Sequence, residues 1–239
     1  MSGESHRHFH EELSNVKVRL LTMSGEAEAA LGLAVEALLE RDPAKARQVI
    51  KGDRAIDAME VEIEEQCVSL LALQQPMARD LRMLTSALKI ANDLERVGDH
   101  AVNIAQSAER LAQSRPITPE PEIVEMARLT RQMLSDALEA FIRGDADAGR
   151  EICLRDDKVD ALHRSVFRLL VTHMMVDPHM HGSGLEDPHL VGSWRELFLG
   201  SRNLERVADH ATNSAEDVVF LVEGKTIKHH AEDRGESPA

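Results

Sequence analysis

Glu95, Asp99 and Asn103 recur as Glu205, Asp209 and Asn213, inside two nearly identical strings, LERVGDHAVNIA (Leu94 to Ala105) and LERVADHATNSA (Leu204 to Ala215). Steps of four place each trio along one side of a helix. A second acidic pair accompanies each trio. GDRAID (Gly52 to Asp57) holds Asp53 and Asp57, and RDDKVD (Arg155 to Asp160) holds Asp156 and Asp160. Carboxylates gathered at close range repel one another, so they protonate, pair with basic groups or bind cations. Hard oxygen ligands suit Mg2+, Mn2+, Ca2+ or iron, and bridging carboxylates admit more than one ion per site. Each stripe therefore reads as half of a metal site, and the chain as carrying two such sites. Asn103, Asn213 and Glu60 extend the acidic face as further candidate ligands. His163 sits in phase with Asp156 and is a weaker one. His100 and His210, next to the motif aspartates, point to another side and are expected as caps or surface groups. Arg96 and Arg206 could pair locally with the motif carboxylates.

Helices must position these groups. Leu13, Val16, Leu20, Met23, Ala27, Ala30, Ala34 and Ala37 step alternately by three and four, which predicts a first helix ending near Arg41. Asp42-Pro43 reads as the cap and first position of a second helix. Its apolar stripe is Ile56, Met59, Ile63, Leu70 and Leu73. A turn at Gln74-Gln75 leads to Pro76, where a third helix is expected to start. The segment SRPITPEP (Ser114 to Pro121) is a linker. Three more helices follow, near Glu122 to Arg143, Asp145 to Val176 and Pro188 to Glu223, with a loop from Asp177 to Asp187 before the last. The halves repeat each other, at an offset of 110 for the acidic stripes and 103 for the paired aspartates. The predicted architecture is all-α: two tandem pseudo-repeated three-helix bundles, residues 1–115 and 116–225, followed by a tail at 226–239 expected to be disordered.

Hairpin geometry then brings the acids together. Helices two and three, antiparallel and joined near Gln75, place Asp53 level with Val97, between Glu95 and Asp99. In the second half, Asp156 comes level with Ala208, between Glu205 and Asp209. The stripes border the apolar seams, and Gly98 and Ala101, matched by Ala208 and Ala211, allow close helix approach.

Composition narrows the function classes. The chain has 239 residues, 43% of them hydrophobic and 3% aromatic, with a net charge of −14. It is globular, and its acidity argues against a nucleic-acid partner. Two cysteines, Cys67 and Cys153, without a CxxC pair fit a reducing compartment. No apolar run suits membrane insertion, so a cytoplasmic protein is expected. A di-metal carboxylate oxidase is an alternative. Such sites use paired Glu-x-x-His motifs, and this chain offers Glu186 to His189, unpaired in the repeat. A purely structural helical interaction protein with solvated acidic faces is the other alternative.

At these residues the chain resembles the PhoU family, the phosphate-transport accessory and signalling proteins of bacteria. The paired LER-x-x-DH-x-x-N strings carry the resemblance, with GDRAID before MEVEIEEQC (Met59 to Cys67), QPMARDLR (Gln75 to Arg82) and DDKVD (Asp156 to Asp160). It extends from HFHEEL (His8 to Leu13) to LVEGK (Leu221 to Lys225). It implies two three-helix bundles, no enzymatic activity, and multinuclear sites for divalent or ferric ions such as iron, zinc, manganese or magnesium. One cluster would use Asp53, Asp57, Glu95 and Asp99; the other Asp156, Asp160, Glu205 and Asp209. It further implies negative regulation of phosphate-starvation signalling and phosphate uptake. The expected partners are the ATPase subunit of the phosphate ABC transporter, a membrane sensor histidine kinase and a second copy of the chain. The second half departs from the first: His189-Leu190 stands where QPMARDLR has Arg79-Asp80, and ATNSA replaces AVNIA.

Overall fold

A computed structural model describes residues 2–175 and 188–227 of the chain. Six helices follow in order: α1 (Ser2–Glu40), α2 (Pro43–Gln74), α3 (Ala78–Ala112), α4 (Pro121–Arg143), α5 (Ala146–Met175) and α6 (Pro188–Glu223). The expected all-α class is found. The segment Asp177 to Asp187, Glu186 included, lies outside the described residues, as does most of the expected tail.

The sequence signals that end and begin these helices act as local chemistry requires. Asp42 caps α2, its carboxylate accepting from the Ala44 and Lys45 amides, with Pro43 at the first helical position. Gly144 closes α4 in the left-handed conformation, its N–H donating back to the last turn. One boundary differs from expectation. α3 starts at Ala78 rather than at Pro76. Gln75 takes the left-handed conformation that ends α2, and Met77 is extended, so the proline belongs to the connection and not to the helix.

α3 and α6 form the most extensive seam of the molecule, and α1 also touches α4. α2 lies against α1 and α3 on one flank, and α5 against α4 and α6 on the other. A single apolar cluster runs through both halves, from Leu20 and Met23 through Leu94 and Val97 to Leu204 and Val207, all with 1% exposure or less. The two bundles therefore share one core.

Polar contacts fix how α3 meets α6. Lys89 Nζ lies 2.9 Å from Asp217 Oδ1, and Arg110 Nε 2.9 Å from Glu196 Oε2. Between them, His210 Nδ1 lies 2.8 Å from Asp93 Oδ1 and His100 Nδ1 3.0 Å from Asn203 Oδ1. These pairs climb one helix as they descend the other, so α3 and α6 run antiparallel. Asp93 and Asn203 occupy equivalent places in the repeat, as do His100 and His210, so the repeat in sequence is a near two-fold in space.

Candidate metal centre

Each acidic stripe sits where an outer helix meets a central one: α2 on α3, and α5 on α6. The register comes out as the hairpin argument requires. A Cβ built on Gly98 would meet Asp53 Oδ1 at 3.1 Å and Ile56 Cδ1 at 3.2 Å. Glycine at this position leaves the space in which the Asp53 carboxylate lies, level with Glu95 and Asp99. Val97, Gly98 and Ala101 are buried, so close packing of α2 on α3 sets the position of the acids.

The electrostatics identify which acids share space in the first half. Burial raises the Asp53 carboxyl above its ordinary value, and Asp57 and Asp99 add to the rise. Glu95 is raised by burial, then by Asp99, with Asp57 and Glu60 contributing and Arg96 opposing. Glu60 is raised by burial and by Glu64 and Asp57. Asp53, Asp57, Glu60, Glu95 and Asp99 therefore feel one another's charge. Arg96 partly relieves the crowding, with Nη1 2.8 Å from Asp99 Oδ2 and Nε 3.3 Å from Glu95 Oε2. The second of these contacts lacks hydrogen-bond geometry: Glu95 Oε2 is buried and has no hydrogen-bond partner. A buried carboxylate oxygen without a hydrogen bond is costly, and the ion pair with Arg96 offsets part of that cost.

The second half repeats the pattern in a more strained form. Asp156 is pushed up to about 6 by burial, then by Asp209 and Asp160. Asp209 is raised by burial, with Asp160 adding and Arg206 opposing. Arg206 Nη1 lies 3.2 Å from Asp209 Oδ2, as Arg96 lies beside Asp99. Arg164 Nη1 approaches Asp160 Oδ2 at 3.5 Å. Burial along 91–100 and along 201–210 follows the same sequence of classes, so Glu205 is as buried on α6 as Glu95 is on α3.

Other candidates fall elsewhere. Asn103 is exposed and Asn213 half-buried, one turn beyond the aspartates. His163 lies beyond Asp160 along α5, where Nδ1 is 3.3 Å from Ser201 Oγ and the ring stacks on Phe198 at 5.5 Å. Among the described residues, no group of three His, Cys, Asp or Glu side chains is arranged to hold a metal ion. Arg96 and Arg206 instead pair with Asp99 and Asp209. The donor set nevertheless suits a hard cation, because each cluster holds several oxygen donors and Glu95 has an unsatisfied buried oxygen.

His100 and His210 are not surface groups or caps. They lie at the α3–α6 seam, their rings 5.5 Å apart. Burial lowers the basicity of His100, and the neighbouring His210 adds to this. The sequence signal for their role was Asp93 and Asn203, which recur at the same offset as the histidines. Glu196 and Asp217, each 1% exposed, had no counterpart in the repeat to reveal them.

The state of Asp156 makes a pH prediction. Its folded value, about 6 against 3.8 for the free carboxyl, means that its charge disfavours the metal-free fold above that pH. The penalty is complete above the folded value and fades as pH falls toward the free value. The shift corresponds to at most about 3 kcal/mol, and solvent screening of a half-buried group reduces it to about 1. Chelator-treated protein should thus gain thermal stability between pH 7 and 5. Asp156→Asn should raise stability at pH 7 and flatten that gain. Parallel melting curves of the two proteins check this; identical slopes would contradict it.

Comparison with known proteins places both acidic halves in one family. A family model described as the PhoU domain matches the chain twice, at residues 20–108 and 123–218. The phosphate-specific transport system accessory protein PhoU homolog of Pseudomonas putida is 38% identical over 223 residues, 92% of this chain and 83% of the relative. The homolog of Aquifex aeolicus is 38% identical over 226 residues, 94% of this chain and 98% of the relative. The crystal structure of PhoU from Pseudomonas aeruginosa superposes with a TM-score of 0.81 at 37% identity, covering 91% of this chain and 100% of that one. The phosphate transport system regulatory protein PhoU from Streptococcus pneumoniae gives 0.82 at 27% identity, with coverage of 92% and 99%.

Proposed function

The chain belongs to the PhoU family, and from that premise we propose that it is a regulatory accessory protein of phosphate transport that restrains phosphate uptake and phosphate-starvation signalling. It acts as a metal-organised adaptor, at the cytoplasmic side of a membrane complex, between the ATPase subunit of the phosphate ABC transporter and a sensor histidine kinase. It works as a homodimer and binds no nucleic acid. No chemical step is needed; the function is docking. Two observations bear on the location: among the described residues no helix is long and apolar enough to cross a membrane, and the net charge is −14.

The observation that carries the metal part is the duplicated acidic cluster, with its unsatisfied Glu95 oxygen and raised Asp156. Asp53, Asp57, Glu95 and Asp99 would hold one centre, with Glu60 and Asn103 at its border. Asp156, Asp160, Glu205 and Asp209 would hold the other, with Asn213 at its border and His163 one turn away. Iron, zinc, manganese or magnesium ions would supply positive charge that neutralises each cluster and locks the outer helix onto the central one. The protein's own groups would position the carboxylates, and Asp99 and Asp209 would be released by Arg96 and Arg206 to the ion. We place the division between the halves at residues 115 and 116, in the linker between α3 and α4.

Purified protein tests the adaptor part directly. It should bind the transporter ATPase subunit and the cytoplasmic region of the kinase. A strain lacking it should express phosphate-starvation genes at high phosphate. Binding to neither partner, together with normal repression in the deletion strain, would sink the reading.

A further inference from the structure

The two halves share the acidic stripe but not their outer faces. On α5, Arg164, Phe167 and Arg168 line a groove of about 390 Å³ with His163 and with Phe198 of α6. In α2, 103 positions earlier, the same places hold Val61, Glu64 and Glu65. The fold therefore does not need an aromatic, basic surface there; the first half builds the same helix without one.

Three features mark the groove. The chain is poor in aromatics, with five Phe, one Trp and no Tyr, yet Phe167 is 50% exposed, the one aromatic among the exposed large hydrophobic side chains of the described residues. Val171, one turn on, is 36% exposed and lengthens the apolar strip. The rings are preorganised: His163 stacks on Phe198 at 5.5 Å, and Phe198 meets Phe167 at 5.6 Å. A rigid aromatic surface loses little side-chain entropy on binding. Arg164 and Arg168, one helical turn apart, border the rings with positive charge on a chain whose net charge is −14.

We propose that this face is a docking site for an acidic amphipathic helix of a partner protein, which seats apolar side chains on Phe167 and Phe198 and aims carboxylates at Arg164 and Arg168. Charge complementarity selects this occupant. A negatively charged helix is drawn to a local positive patch. Exposed aromatics beside arginines are the usual composition of an interface centre. The site lies on the same flank as the second acidic cluster, and Arg164 also approaches Asp160. The inference adds a docking surface to the adaptor reading and rests on it for the identity of the partner.

The test uses full-length protein, the transporter ATPase subunit, the kinase cytoplasmic region, and a synthetic helical peptide with leucines and glutamates on adjoining faces. Phe167→Ala should weaken binding to one of the two partners and to the peptide at least tenfold, with an unchanged circular dichroism spectrum. Arg164→Glu with Arg168→Glu should do the same, and a peptide with lysines in place of glutamates should bind less well than the parent. Val61→Ala with Glu64→Ala, the matching change on α2, should leave binding intact. Wild-type affinity in the Phe167→Ala protein for every binder overturns the proposal. So does dissociation of a dimer by Phe167→Ala in sedimentation, which would give the face to a second copy. If unaltered protein binds neither partner, the adaptor reading fails, and the peptide alone decides the surface: binding lost in Phe167→Ala supports it, and no binding overturns it.

Discussion

Replacing Lys89 by methionine will destabilise the protein by about 2–3 kcal/mol, because it removes a cation that lies against the buried Asp217 carboxylate at the seam between the halves. The Asp217 side chain is 2% exposed and that of Lys89 48%, with 2.9 Å between them. Removing one partner of a buried pair costs about 3–5 kcal/mol; the low end applies here because the lysine itself is half in water. Methionine keeps much of the stem that packs beside Phe220, whose ring centroid lies 5.1 Å from Nζ, so the effect isolates the charge. Arg110→Met at the other end should cost less, about 1 kcal/mol, because Glu196 retains Arg195 at 2.6 Å. Urea unfolding of both variants measures the difference. Equal losses would contradict the predicted ranking, and a loss below about 0.5 kcal/mol for Lys89→Met would show that this pair does not hold the halves together.

Gly149→Ala should destabilise the second bundle by about 1–3 kcal/mol and weaken metal binding to its cluster. A Cβ at Gly149 would stand 2.8 Å from the backbone oxygen of Ala215 and 3.2 Å from Val219 Cγ2. A backbone group cannot step aside as a side chain can, so α5 must move off α6. Those two helices carry Asp156 and Asp160 on one side and Glu205 and Asp209 on the other. Gly98→Ala is the control for stability alone, because its Cβ would crowd the Asp53 carboxylate. Its neighbours are the movable ends of Asp53 and Ile56, and the repeat already carries Ala208 at that place. It should cost under about 1 kcal/mol. Melting temperatures of the two variants, and metal titration of Gly149→Ala against wild type, check both parts.

The helices and their pairing were legible because long apolar stripes with a 4-3 step and prolines at the joins leave few alternatives. Asp42-Pro43 and Gly144 mark their boundaries by local chemistry that any fold obeys. The proximity of the paired aspartates to the acidic stripes was legible because duplication acts as an internal control: the same hairpin register arises twice, independently, in the two halves. What failed was the reading of Pro76 as a helix start and of His100 and His210 as surface groups or caps. A proline is compatible with both a first turn and an extended connection, and only the left-handed Gln75 decides between them. The histidines face the other bundle, and no stripe within a single bundle reveals that contact. Glu196, Asp217 and the Phe167 face were illegible for the opposite reason. They occur once, and a lone buried acid or exposed ring has no signature in sequence.

Metal content per chain, measured by mass spectrometry on untagged protein purified without chelator, tests the central claim most directly. Wild type should be compared with Glu95→Ala/Asp99→Ala and with Glu205→Ala/Asp209→Ala. Wild type should carry bound metal, and each double variant should lose one cluster's share with its helical content retained. Unchanged stoichiometry in both variants, or a wild type that carries no metal and takes up none on titration, would contradict it.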